Sequence, residues 1–194
     1  MLKRKVYQEL LKWKENTGGK ALCIIGARQI GKTTLIREFG KNEYEHFAEI
    51  NFVTDEKAAD IFKDKLTAEA IITNLTAYLQ KPLEPGKTLI LFDEVQECPA
   101  VRSAIKFLVE DGRFDYIEAG SLLGVRYKEV KSYPVGFEQI LPMYPLDFEE
   151  YLWANGVQDK TLQYLKNCYD RRERFLTPCM KHFANYFTVI LWSE

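Results

Sequence analysis

At 194 residues, with 46% hydrophobic and 13% aromatic content, the chain can fill one core, which excludes a disordered tail or linker. Lys and Arg total 27 against 28 Asp and Glu; a net charge of −1 excludes the global basic field that draws a protein onto nucleic acid, leaving only local patches for such a partner. Cys23, Cys98, Cys168 and Cys179 form no Cys-x-x-Cys pair, only His46 and His182 could join them on zinc, and neither a signal-peptide core nor a run of ~18 apolar residues occurs, so a reduced, soluble, cytoplasmic protein without a membrane partner is expected.

Val6, Leu10, Leu11 and Lys14 fall at helical spacing, so residues 3–16 read as an amphipathic packing helix ended by Gly18 and Gly19. "ALCIIG" is a continuous apolar run ending in glycine, the pattern of a strand buried on both faces of a parallel sheet. The helix "KTTLIREFG" follows, with Gly40 as its expected stop, and "HFAEINF" reads as a second strand. "AADIFKDK" and "TAEAIITNLTAYLQ" predict helices before a turn-rich loop at 82–86, and "KTLILFDEV" is a third, very apolar strand. Pro99 suits the first turn of a helix running to about Glu110, Gly112 breaks it, and "FDYIEAGS" is the fourth strand. A fifth, "FEQILPMYPL", precedes a helix capped by Asp147 with Glu149 and Glu150 in its first turn. Strands alternating with helices over the first ~150 residues imply an α/β sandwich with a mostly parallel sheet. The last forty residues differ: helix signals give way to the apolar "FTVILW", which reads either as a terminal strand or as a segment cut from something larger.

Between the first strand and the first helix of this alternation, Gly26, Ala27, Arg28, Gln29, Ile30, Gly31, Lys32 and Thr33 spell Gly-x-x-x-x-Gly-Lys-Thr, the Walker A pattern in the context that gives it meaning. The glycines let backbone N–H groups wrap phosphates, the helix N-terminus favours negative charge, Lys32 is expected on the β and γ phosphates and Thr33 on Mg2+, with Thr34 completing the cofactor-binding run. Arg28 and Gln29 either touch phosphates or face solvent. Four apolar residues precede Asp93 in "TLILFDE", the Walker B form, so Asp93 is the second expected Mg2+ ligand. Glu94 follows at once, where a carboxylate can orient or deprotonate the attacking water, which points to hydrolysis. Ser121 closes the fourth strand where additional-strand P-loop ATPases carry a small polar residue contacting the γ phosphate or the water; a serine before a loop is also ordinary turn chemistry. No Asn-Lys-x-Asp guanine reader occurs, the nearest likeness being "GKNE" at 40–43, and the cluster Arg171, Arg172 and Arg174 lies too far downstream for a small-molecule kinase lid, so ATP is the expected nucleotide.

With "GARQIGKTTLI", "LFDEVQECP", "AGSLLG" and "MYPLDFEEYL" in this order, residues 1–155 resemble a family of prokaryotic AAA-type P-loop ATPases whose core is normally followed by a C-terminal restriction-nuclease-like domain of unknown function. The resemblance implies a three-layer α/β/α fold with a five-stranded sheet in the order 5-1-4-3-2, ATP and Mg2+ at the first strand's loop, Glu94 as catalytic carboxylate, and Lys32 and Ser121 beside it. It also implies that residues 156–194 are the start of a second domain of which most is lacking, since family members are about twice as long. Phe137 departs from the family, which commonly has a basic residue after that glycine. Such enzymes often complete their site with an arginine from a neighbour or a lid, for which Arg102, Arg113 and Arg126 are the candidates, and turnover without it should be slow.

Two functions are therefore expected to compete. The first is an ATPase that drives a conformational change in a partner or missing domain. The second is an ATP-dependent switch with negligible hydrolysis that contacts protein, DNA or another copy of itself through "YDRRERF" or the apolar tail; a charge run of this kind is also an ordinary solvated helix face.

Overall fold

The computed structural model describes residues 2–16, 18–63, 67–81, 83–121 and 136–173. Arg126, Arg174, Cys179, His182 and the "FTVILW" tail lie outside them. The described elements are α1 (Val6–Glu15), β1 (Ala21–Gly26), α2 (Lys32–Glu43), β2 (His46–Asn51), a 3-10 segment (Glu56–Phe62), α3 (Ala68–Leu79), β3 (Thr88–Asp93), a 3-10 turn (Val95–Glu97), α4 (Pro99–Asp111), β4 (Asp115–Ser121), β5 (Glu138–Pro142), α5 (Phe148–Ala154) and α6 (Asp159–Arg171).

All five strands are parallel, in the order β2-β3-β4-β1-β5, which is the expected 5-1-4-3-2 read from the other edge. Each apolar strand feeds both faces, because alternate side chains point to opposite sides. Leu89 and Leu91 of β3 join Leu22, Ile24 and Ile117 against Leu10 and Trp13 of α1 and Leu35, Ile36 and Phe39 of α2. Ile90 and Phe92 join Ile50 and Tyr116 against Ile71 and Leu75 of α3 and Val101, Ile105 and Leu108 of α4. The result is a three-layer α/β/α P-loop NTPase fold. On the α3/α4 face, Phe92 stacks on Phe52 and Tyr116 with ring centroids 6.3 and 6.1 Å apart, a rigid aromatic floor immediately before Asp93.

Two local expectations change. Gly40 does not stop α2, which continues to Glu43; a Cβ at Gly40 would stand 2.3 Å from the Phe47 ring, so the glycine serves close packing of α2 on β2. The "AADIF" part of the expected helix "AADIFKDK" lies in the 3-10 segment Glu56–Phe62, which buries Ala58, Ile61 and Phe62, and not in an α-helix; Asp64 and Lys65 lie outside the described residues.

Helix ends elsewhere follow the sequence signals. Thr67 caps α3 by accepting from Ala70 N, and Pro99 and a left-handed Gly112 bracket α4. Among the described residues one buried polar cluster interrupts the apolar core. The Arg102 guanidinium donates to Cys23 Sγ (3.1 Å) and to both oxygens of Glu138 (2.9 and 2.6 Å), while Glu118 Oε2 lies 3.9 Å away. Cys23, Glu118 and Glu138 are close enough together to suggest a metal cluster, but the guanidinium already supplies the cation.

The chain divides into two compact units, Val6–Pro145 and Met1–Lys5 with Leu146–Glu194. In the second unit, α5 begins with a full capping box. Asp147 accepts from Glu150 N at 2.8 Å and Glu150 accepts from Asp147 N at 3.0 Å. The other Glu150 oxygen accepts from Lys5 N at 2.7 Å, and Arg4 Nε lies 3.3 Å from it. Lys5 Nζ reaches Asp147 and Glu149, both at 2.7 Å. Leu152, Val157 and Leu162 form a small core there, with Trp153 and Leu165 packed against it.

Candidate functional site

Parallel strands end on one edge of the sheet, and here that edge carries Gly26, Asn51, Asp93 and Ser121. Ligands of open α/β sheets collect at this edge because the helices that follow the strands present their N-termini to it. Gly26 is fixed by packing: a Cβ there would lie 2.3 Å from Met143 O and 2.7 Å from Ile30 Cδ1. Gln29 and Gly31 then turn left-handed, at φ 63° and 89°, which brings the chain round so that α2 starts at Lys32. Ala27, Arg28, Gln29, Gly31 and Thr34 are exposed, whereas Ile30 packs against the α1/α2 core.

Lys32 is 7% exposed, and its ammonium donates to Gly26 O (3.1 Å) and Ala27 O (2.6 Å), closing the loop on itself. Burial pulls its pKa below the ordinary lysine value, opposed by the nearby carboxylates of Glu94 and Asp93. A cation held this way, at the N-terminus of α2, is arranged to receive an anion.

Asp93 is 2% exposed and its carboxylate is fully engaged. Oδ2 accepts from Thr33 Oγ1 and from Asn51 Nδ2, each at 2.9 Å, and Oδ1 accepts from Glu94 N at 3.1 Å. Burial raises its pKa, and the bonds from Thr33 and Asn51 hold that rise back. Loop and acidic strand are thus joined directly through Thr33. Glu94 turns left-handed at φ 55°, half-buried, and Gln96 Nε2 donates to Glu94 Oε2. Ser121 is the last residue of β4, 5% exposed and in register with Gly26.

Two residues of this edge escape the sequence reading. Asn51 ends β2 in register with Asp93, and its Oδ1 also accepts from Val53 N and Thr54 N, so one amide turns the chain and steadies the carboxylate. A polar residue closing an apolar strand was the available signal. Gln96 gave none, because its contact with Glu94 depends on the left-handed turn.

The candidate arginines divide. Arg102 is buried in the cluster with Glu118 and Glu138, so it cannot serve a neighbour's nucleotide. Arg113 pairs with Asp111 and Glu69 just before β4, at the sheet edge opposite the loop. Phe137 begins the pairing of the edge strand by accepting from Ala21 N at 2.9 Å, and Lys106 lies 5.5 Å from its ring. No described helix is long and apolar enough to cross a membrane, and Cys23, Cys98 and Cys168 are free thiols.

Comparison with solved structures finds the Pif1 helicase from Candida albicans (13% identity, 86% of this chain and 44% of that one, TM-score 0.49), a RuvB variant from Thermotoga maritima (19%, 81% and 51%, 0.45) and AMPPCP-bound DnaA from Aquifex aeolicus (16%, 92% and 54%, 0.47). The chain spans about half the length of these structures. No curated protein matches it. A family model described as the AAA domain matches residues 18–152, a stretch that takes in the glycine loop, the acidic end of β3 and the start of α5, and the chain belongs to that family of P-loop ATPase domains.

Proposed function

We propose that this domain binds ATP with Mg2+, hydrolyses it, and couples the cycle to a conformational change in a partner protein or in further polypeptide. The observation that carries the reading is the 2.9 Å bond between the Thr33 hydroxyl and the Asp93 carboxylate, with Lys32 and Glu94 immediately adjoining in sequence. These are oxygen donors only, one neutral and one anionic, which is the set a hard divalent ion takes when phosphate and water complete its shell. Bound between Thr33 and Asp93, Mg2+ would neutralise phosphate charge as it shifts toward the leaving group.

The protein groups then have separable tasks. Amides of the 27–33 loop and the start of α2 hold the phosphate oxygens, and Lys32 exchanges the carbonyls of Gly26 and Ala27 for them. Glu94 accepts a proton from the attacking water as its oxygen bonds to the γ phosphorus and the bond to the bridging oxygen breaks, releasing ADP, phosphate and that proton. Ser121, in register with Gly26, donates to the γ phosphate or the water.

Calorimetric ATP binding and steady-state hydrolysis of wild type, Lys32→Ala and Glu94→Gln test this. Lys32→Ala is expected to lose binding, and Glu94→Gln to keep binding while turnover falls by ~100-fold or more. A titration without heat at millimolar ATP and Mg2+ refutes the reading; binding without turnover in every variant favours the switch.

A further inference from the structure

Glu94 departs from strand geometry at the place where its carboxylate is needed. Its φ of 55° is a region that a residue with a Cβ enters at a cost, and the chain beyond it is clamped. Glu97 N donates to Glu94 O at 3.0 Å, Cys98 N donates to Val95 O at 3.1 Å, Val95 is fully buried, and Pro99 opens α4. The turn therefore fixes the Glu94 backbone but leaves a three-bond side chain free to rotate. Within the turn, Gln96 folds back and donates its amide N–H to Glu94 Oε2. The amide N–H faces the carboxylate, an acceptor, and this sets the orientation of Gln96. Gln96 Oε1 is left buried with no hydrogen-bond partner among the described residues. A buried acceptor left open beside an acidic group is expensive in a fold and useful next to a water that has two hydrogens to place.

We infer that Gln96 is a positioning residue for hydrolysis. Its N–H holds one Glu94 oxygen so that the other is presented to the attacking water, and its Oε1 accepts the second hydrogen of that water. Glu94 remains the proton acceptor, and Gln96 exchanges no proton. The inference rests on the reading of Glu94 given above.

The test compares full-length wild type, Gln96→Ala, Gln96→Glu and Gln96→Asn by kcat, KM for ATP, calorimetric ATP affinity and the pH profile of kcat. Gln96→Ala is expected to lower kcat at least 10-fold with KM and affinity within twofold of wild type. The acid in Gln96→Glu should move the acid limb of the profile to higher pH, because two carboxylates would then share one proton, and the shorter Gln96→Asn should not restore the rate. Unchanged kcat in Gln96→Ala, a raised kcat, or a loss matched by weaker nucleotide binding each overturns the inference. If Glu94→Gln is inactive while Gln96→Ala is fully active, this inference alone fails; if Glu94→Gln turns over like wild type, the assignment of Glu94 fails first. A readout independent of turnover is the Gln96 side-chain amide in 15N NMR, identified by its absence in Gln96→Ala. It should move in Glu94→Gln, and an amide indifferent to that substitution refutes the contact.

Discussion

Asp93 illustrates how much of this site depends on single side chains that never touch nucleotide. Burial opposes its charge, and the bonds from Thr33 and Asn51 return part of what burial takes. Replacing Asn51 by alanine leaves Thr33 as the one side-chain donor on Oδ2 and removes the amide that also turns residues 52–54. We expect Asn51→Ala to weaken apparent Mg2+ affinity about 10-fold or more, the usual consequence of losing a partner behind a metal ligand. With the Asn51 bond gone the Asp93 pKa rises further, so the acid limb of the rate profile should move to higher pH. Titrating activity with Mg2+ at fixed ATP across pH checks both, and unchanged Mg2+ dependence would show that Asn51 serves only the turn. Ile30 and Met143 act at one remove, since a Cβ on Gly26 would meet Ile30 Cδ1 and Met143 O.

β4 brings an ionisable side chain into the core at Glu118, beside Cys23 of β1 and Arg102 of α4. It is 0% exposed, neither oxygen has a hydrogen bond among the described residues, and burial pushes its pKa up to about 8, against the pull of Arg102 and with Glu138 adding to the rise. Arg102 sits closer to Glu138, at 2.6 Å, than to Glu118, at 3.9 Å, and Cys23 of β1 is the remaining titratable neighbour. The neutral carboxyl is thus the folded form near neutrality. From the ordinary value of 4.5 up to about 8 the unfolded chain has released this proton while the folded chain retains it, so stability falls with rising pH and levels off above. Glu118→Gln should gain on wild type steadily across that window and not below it, read as urea midpoints at pH 4, 6 and 8. A constant difference would mean that Arg102 keeps Glu118 ionised throughout. Sequence placed β4 at "FDYIEAGS" but left this cluster unseen, because Cys23, Arg102, Glu118 and Glu138 are brought together only by register and by the packing of α4 on the sheet. β1, α4 and the Asp147 cap were legible, since their signals are local: continuous apolar runs, Pro99 at a first turn, an acid three residues after an Asp. Gly40 misled for the converse reason. Nothing local distinguishes a glycine that ends a helix from one that makes room for Phe47.

For the whole molecule, stability is distributed between two units of unequal substance. Val6–Pro145 holds the sheet and both large apolar clusters, whereas the described core of the other unit is Leu152, Val157 and Leu162 with two flanking side chains. Cooperativity in so small a core has to come from polar organisation, and Glu150 is where it converges. One carboxylate, 4% exposed, caps α5, accepts from Lys5 N and pairs with Arg4, so that residues 2–5 are held to a helix more than 140 positions away. The chain therefore passes between the units twice, after Lys5 and after Pro145, and the first passage is secured within the second unit by this residue. Glu150→Ala strips the capping box, the acceptor of Lys5 N and one partner of Arg4, a combined loss of about 2 kcal/mol or more confined to that unit. Hydrogen exchange in α5 and α6 should quicken about 30-fold or more, the factor that ~2 kcal/mol implies, while β1, β3 and β4 exchange as in wild type. Equal acceleration in the sheet would mean that the loss is not confined to that unit and that the two units unfold as one cooperative whole.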